Sequence, residues 1–159
     1  TSTQFMEFRS RYAGASRGKS ELIVCQLPDG QVIGCAGIEV TPIPDGNLKA
    51  ESKKRAPLMS NLAVSRNYRR KGIGELLVKE AERVARFEWG ANDCYLYVER
   101  RNVAAVKLYK KLGYRQEWID TDAKTLIPTS NGNLQNEPTE IICMKKRLNA
   151  GIFGQLWPF

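Results

Sequence analysis

The chain has 159 residues, 42% of them hydrophobic and 26% charged, with a formal net charge of +8 and no histidine. That length suits one domain with a sizeable core of its own, and no apolar run approaches the ~18 residues of a membrane-spanning helix. Without histidine, Ser-His-Asp and Cys-His catalysis and all histidine-ligated metal sites are excluded.

In chain order, one helix is predicted over Thr3 to Tyr12. Glu21 to Leu27 and Gln31 to Val40 flank the turn Pro28-Asp29-Gly30 and read as a β-hairpin. Thr41 to Pro57 is polar and broken by three prolines, so a mobile loop is predicted there, followed by a strand from Leu58 to Val64. From Gly72 the period changes. Ile73, Leu76, Leu77, Ala81, Val84 and Ala85 recur at helical spacing, predicting an amphipathic helix to about Trp89 that Gly90 stops. Cys94 to Val98 reads as a strand. Asn102 caps a second helix with Ala105, Leu108, Tyr109 and Leu112 on its apolar face and Gly113 at its end. Tyr114 to Ile119 and Glu140 to Lys146 form a late hairpin, joined by the polar segment Asp120 to Pro138. Gly151 to Phe159 is an apolar tail suited to docking on the body or on a partner. These elements predict a mixed α/β (α+β) architecture in which helices flank one central sheet, within a single domain.

The cysteines Cys25, Cys35, Cys94 and Cys143 stand far apart in apolar stretches with no CxxC pair. They read as buried thiols in a reducing compartment, and no metal is expected. The positive charge fits an anionic partner. The basic residues are dispersed apart from a knot at Arg66 to Lys71, unlike the broad stripe interleaved with aromatics of a nucleic-acid surface. Because the first residue is Thr1, a trimmed or processed chain is expected.

The knot runs into Gly72-Ile73-Gly74 between a strand and a helix. Helix amino termini carry unpaired N–H groups and a partial positive charge. Glycines let backbone approach a phosphate, and Arg69, Arg70 and Lys71 add formal charge, so the turn is suited to a pyrophosphate. A Rossmann fingerprint would need glycine where Leu77 stands, and Gly14 and Gly18-Lys19-Ser20 lie one residue too close for a P-loop. An ordinary tight connection explains the turn taken alone equally well.

Leu62-Ala63-Val64, Tyr68 to Gly74 and Leu76-Leu77 resemble motif A of the GNAT (GCN5-related N-acetyltransferase) superfamily. About thirty residues on, Asn102 to Tyr109 and Leu112-Gly113-Tyr114 resemble its motif B. The likeness covers about Glu21 to Lys146 and in flavour is similar to plant and cyanobacterial, plastid-type members. It implies an acyl-CoA N-acyltransferase fold with a splayed pair of parallel strands that takes acetyl-CoA in the splay. It further implies that Leu62, Ala63 and Val64 offer backbone to the cofactor, with the Val64 amide polarising the thioester carbonyl. Arg69, Arg70, Lys71, Gly72, Ile73, Gly74 and Glu75 would hold the pyrophosphate. Asn102 and Ala105 would touch the cofactor, and Lys107, Lys110 or Lys111 the adenosine phosphate. Tyr109 falls at the position of the general acid that protonates the departing thiolate; the alternative for it is a packing aromatic.

The sequence departs from the family pattern in two places. Where some members carry a glutamate, five residues before the motif B asparagine, stands Tyr97. Glu99 lies on the same strand face and is the candidate base, with a solvated carboxylate as the alternative; Glu39, Ser60 and Asn61 are further candidates for a water relay. The strand and two helices that usually precede the first hairpin have only Thr1 to Ser20 in their place. The expected activity is acetylation of protein N-terminal α-amines, lysine ε-amines or both, in the chloroplast stroma or another reducing interior. Acetylation of a small amine, a non-catalytic acyl-CoA-binding module and nucleic-acid binding are the competing readings.

Overall fold

The computed structural model describes residues 7–10 and 19–148. Seven strands form one sheet: β1 (Glu7–Ser10), β2 (Ser20–Gln26), β3 (Val32–Pro44), β4 (Lys53–Val64), β5 (Asp93–Glu99), β6 (Arg115–Pro128) and β7 (Leu134–Arg147). Their order is β1-β2-β3-β4-β5-β7-β6. Every neighbouring pair is antiparallel except β4 with β5, which is parallel. Helix α1 (Ile73–Arg83) follows β4 and helix α2 (Val103–Lys111) follows β5. The mixed sheet with flanking helices is the architecture expected from the sequence.

The apolar stripe of α1 packs on one face of the sheet. Leu77, Val78 and Ala81 are fully buried with Leu96, Val98 and Met144. Alternation along β5 sends Tyr95 to the other face, into a second cluster with Ile43 and Cys143. After Arg83 the helix widens into a π-turn, Val84–Glu88, so the helical stretch predicted to Trp89 ends in a different geometry. All four thiols are free, and burial pushes those of Cys94 and Cys143 up to about 12.

Three expectations need correction. Glu7–Ser10 is a strand paired with β2, so the helix predicted over Thr3 to Tyr12 does not form there; alternating Phe8 and Arg9 within EFRS suits an edge strand as well as a helix turn. The predicted loop Thr41 to Pro57 is mostly hairpin, since β3 runs on to Pro44 and β4 starts at Lys53. Its prolines pair by register with Arg55, Lys53 and Val40 without breaking the ladder. The segment Asp120 to Pro138 is likewise two long strands joined by a short turn, with Ala123↔Thr139 and Pro128↔Leu134 in register. The apolar tail from Gly151 lies outside the described residues.

Candidate functional site

The parallel strands β4 and β5 are in register only at Leu58↔Tyr95 and Met59↔Leu96. Beyond Met59 they part. The cause is a bulge in β4. Asn61 has φ 53°, and the register with β3 slips between Cys35 and Gly37. Asparagine is among the few side chains that accept this left-handed conformation, and an extra residue bends the strand that carries it. The bulge also shifts the alternation: Met59 and Leu62, three apart, both pack against the helix-side core.

The parting leaves a groove of about 770 Å³. Ser60, Asn61 and Leu62 line it from β4, and Tyr97 and Glu99 from β5; Asn102, Ala105 and Tyr109 close it from α2. The volume suits a cofactor-sized ligand. Asn102 caps α2, its Oδ1 accepting from the Ala105 amide at 3.2 Å. This fixes the helix that carries Tyr109. That side chain is only 8% exposed and meets Tyr114 edge-on at 6.0 Å. Burial raises the Tyr109 phenol above its ordinary pKa, so it stays protonated at neutral pH.

The basic turn stands at the end of β4. The Nε of Arg69 donates to the Val64 carbonyl at 3.0 Å, tying the turn to the strand end. Gly72 has φ 81° and opens α1 with no side-chain cap, leaving the first amides of the helix without partners. A Cβ on Gly74 would lie 3.7 Å from Leu108 and 3.8 Å from Val64, ordinary contact distances. The protein's own packing therefore does not demand glycine at 74. Glu75 is engaged by Lys79 and Lys111, at 3.1 and 3.2 Å, and these ammonium groups hold its carboxyl below the usual range. Of the three lysines considered for an adenosine phosphate, Lys111 is thus tied to Glu75.

Glu99 sits in a polar cluster. Its Oε2 accepts from Arg101 Nε at 2.6 Å and from the Thr139 hydroxyl at 3.2 Å. Partial burial pushes its carboxyl up, but Arg101 and the hydroxyls of Thr125 and Thr139 outweigh this and hold it below the ordinary range. Arg101 also reaches Glu137 on β7 at 3.2 Å. Tyr97 is a different case: burial, with Cys143 adding to it, pushes its phenol up to about 12.

The groove therefore brings together Ser60, Asn61, Leu62, Glu99, Asn102, Ala105 and Tyr109 from the sequence-derived candidates. Val64 and residues 69–75 stand beyond its end, and Ala63 and Glu39 do not line it. The groove adds Met59, Val98 and Arg101, which no motif marks, and gives Tyr97 a place in the lining. Tyr97 was findable by alternation from Glu99. Among the described residues no cluster of three or more acidic or cysteine side chains is arranged to hold a metal, and no helix is long and apolar enough to cross a membrane.

The Acetyltransferase (GNAT) family profile matches residues 3–114. This chain belongs to that family. It is 42% identical over 59 residues to "GCN5-related N-acetyltransferase 7, chloroplastic" of Arabidopsis thaliana, a match covering 37% of this chain and 21% of the relative. It is 38% identical over 56 residues to an N-alpha-acetyltransferase of Sulfurisphaera tokodaii, covering 35% of this chain and 34% of the relative. The matches span only a fifth to a third of these curated relatives. Among solved structures, Chaetomium thermophilum Naa20 in complex with a bisubstrate analogue superposes with TM-score 0.62 at 22% identity, covering 79% of this chain and 65% of that one. An Elizabethkingia anophelis GNAT acetyltransferase with acetyl-CoA bound gives 0.62 at 17%, covering 89% and 97%. A chimera of Vibrio cholerae spermidine N-acetyltransferase and hSSAT gives 0.61 at 16%, covering 81% and 67%. At these identities the likeness is one of fold.

Proposed function

We propose that this domain is an acetyl-CoA-dependent N-acetyltransferase acting on a primary amine of a protein, either an N-terminal α-amine or a lysine ε-amine. The observation that carries the reading is the groove itself. One opening holds Tyr109 and Asn102 on α2 against the bulged end of β4, and an uncapped, glycine-opened helix start lies just past it. Acetyl-CoA, when bound, supplies an activated thioester whose acetyl group an amine can take. The free amides of α1, with Arg70 and Lys71 beside them, hold the pyrophosphate. Leu62, Ala63 and Val64 would offer main-chain groups alongside, with the Val64 amide available to stabilise negative charge on the thioester carbonyl oxygen. Tyr109, kept protonated by burial, would donate its proton to the leaving sulfur and be reprotonated by the proton that the attacking nitrogen loses as the amide forms. Glu99, kept ionised by Arg101, orients the arriving ammonium and hands its proton on to solvent; its lowered proton affinity suits it to attract a cation more than to keep a proton.

The test is release of CoA from acetyl-CoA with a mixed pool of peptides bearing free N-termini or lysines. No release with any amine would count against the activity; binding of acetyl-CoA without release would indicate a non-catalytic acyl-CoA module. A small di- or polyamine is the second reading, favoured by the Glu99 carboxylate in the groove, which can hold a second ammonium. Spermidine outcompeting all peptides would select it. The chloroplastic relatives support a plastid stroma location, which imaging of the full-length protein fused to a fluorescent reporter would check.

A further inference from the structure

The splay opens onto both faces of the sheet. One face carries α1, α2 and Tyr109. The other carries Tyr95, Tyr97 and Trp118, and among the described residues no helix covers it. Its cover is the far end of the β3–β4 hairpin, which crosses the face as an arm. Ile43 is 1% exposed against Tyr95 and Cys143. The indole Nε1 of Trp118 donates to the Pro44 carbonyl at 3.1 Å. The amide of Leu48 donates to Asp120 Oδ2 at 3.0 Å, and Lys54 Nζ stands 5.0 Å over the Tyr95 ring.

The arm reaches Trp118, Trp118 packs on Tyr97 at 5.7 Å between ring centroids, and Tyr97 lines the groove. Each group in this chain has its freedom spent. The indole has given its one donor to Pro44, so its ring offers apolar surface only. The phenol of Tyr97 stays neutral across the physiological range. Glu99 lies two residues along the same strand face, roughly 7 Å away in strand rise. Arg101 is already shared between Glu99 and Glu137.

We propose that Tyr97 is the specificity-determining wall for the acceptor, with Trp118 as its positioning residue, and that it selects amines borne beside an apolar group. Resting on the acetyltransferase reading above, this places the amine at Glu99 and the neighbouring side chain on Tyr97. A protein N-terminus beginning with Leu, Met or Phe fits both. One beginning with Asp or Glu brings a second carboxylate beside Glu99 and a charge onto an aromatic surface, and both disfavour it.

The experiment compares kcat/KM for otherwise identical peptides beginning with Leu or with Asp, in the wild type, Tyr97→Ala and Tyr97→Leu, with the KM for acetyl-CoA measured alongside. The wild type is expected to prefer the Leu peptide. Tyr97→Ala should lower that preference about tenfold by removing an apolar wall, and Tyr97→Leu should keep it within roughly threefold by restoring apolar bulk. Both should leave the KM for acetyl-CoA unchanged. A wild type without the preference overturns the proposal, as does a preference that Tyr97→Ala leaves intact. A raised acetyl-CoA KM in Tyr97→Ala also overturns it, because Tyr97 would then support the fold of the groove as a whole. Absence of turnover with either peptide or any other amine refutes the acetyltransferase reading itself.

Discussion

The two faces of the splayed sheet are built by different means. On the helix face, short-range signals do the work: a glycine at φ 81° starts α1, an asparagine caps α2 three residues from the amide it binds, and apolar residues at helical spacing form the core. On the arm face, contacts come from far away in sequence. Pro44 meets Trp118, and Leu48 meets Asp120. The two faces share β4 and β5 but present opposite sides of them, so on the proposed reading substitutions on one face should affect cofactor binding and those on the other acceptor choice.

The sharpest way to test the helix face is Tyr109→Phe. If Tyr109 is the acid, kcat should fall roughly 10²–10⁴-fold while the KM for acetyl-CoA holds; an unchanged kcat would remove it from the chemistry. Gly72→Ala forces a Cβ into the left-handed region at a cost of about 1–2 kcal/mol, to be seen as a lower melting temperature together with a higher KM for acetyl-CoA. Asn102→Ala should cost about 1 kcal/mol by removing the cap of α2, measured by denaturant unfolding, with Asn102→Asp recovering most of it. On the arm face, Trp118→Phe keeps a ring against Tyr97 but drops the tie to Pro44, costing up to about 1 kcal/mol. It should alter the acceptor KM and leave that for acetyl-CoA alone, and the reverse pattern would erase the distinction between the faces.

The smallest effect is one of pH. Glu99 titrates below its ordinary range in the fold, so its interactions with Arg101 contribute stability above about pH 4.3 and lose it as pH falls through the lower folded-state pKa. Arg101→Met should raise the Glu99 pKa and start the acid-side loss at higher pH. Carboxyl titration followed by NMR would show this, and an unmoved curve would mean the pair is unimportant.

The same division governs what the sequence made legible. The hairpin before β4, both helices, the cap at Asn102 and the start at Gly72 could be read from local pattern, since caps, turns and amphipathic spacing act over a few residues; Tyr109 takes its expected role from the family resemblance, spacing alone favouring a packing aromatic. The groove needs the bulge at Asn61, whose residue type tolerates the left-handed conformation but does not by itself announce a bulge in a strand. Thr41 to Pro57 read as a loop because its prolines and charges mimic one. Proline is tolerated where a strand's N–H is not called upon, and the hydrogen bonds that tie the arm to β6 span more than seventy residues. The same holds for Asp120 to Pro138, whose polar residues fall on a hairpin exposed for most of its length.

The arm's two ties span 72 and 74 residues of chain. A contact that distant forms only after the intervening chain has ordered, so the arm is expected to settle late in folding, once β6 is in place. It should also be among the first parts to open in the native protein. Amide exchange would register this as weaker protection at Leu48 than at the helix-side core of Leu77 and Val78. The arm behind the proposed acceptor wall would then breathe while the core beneath α1 stays shut.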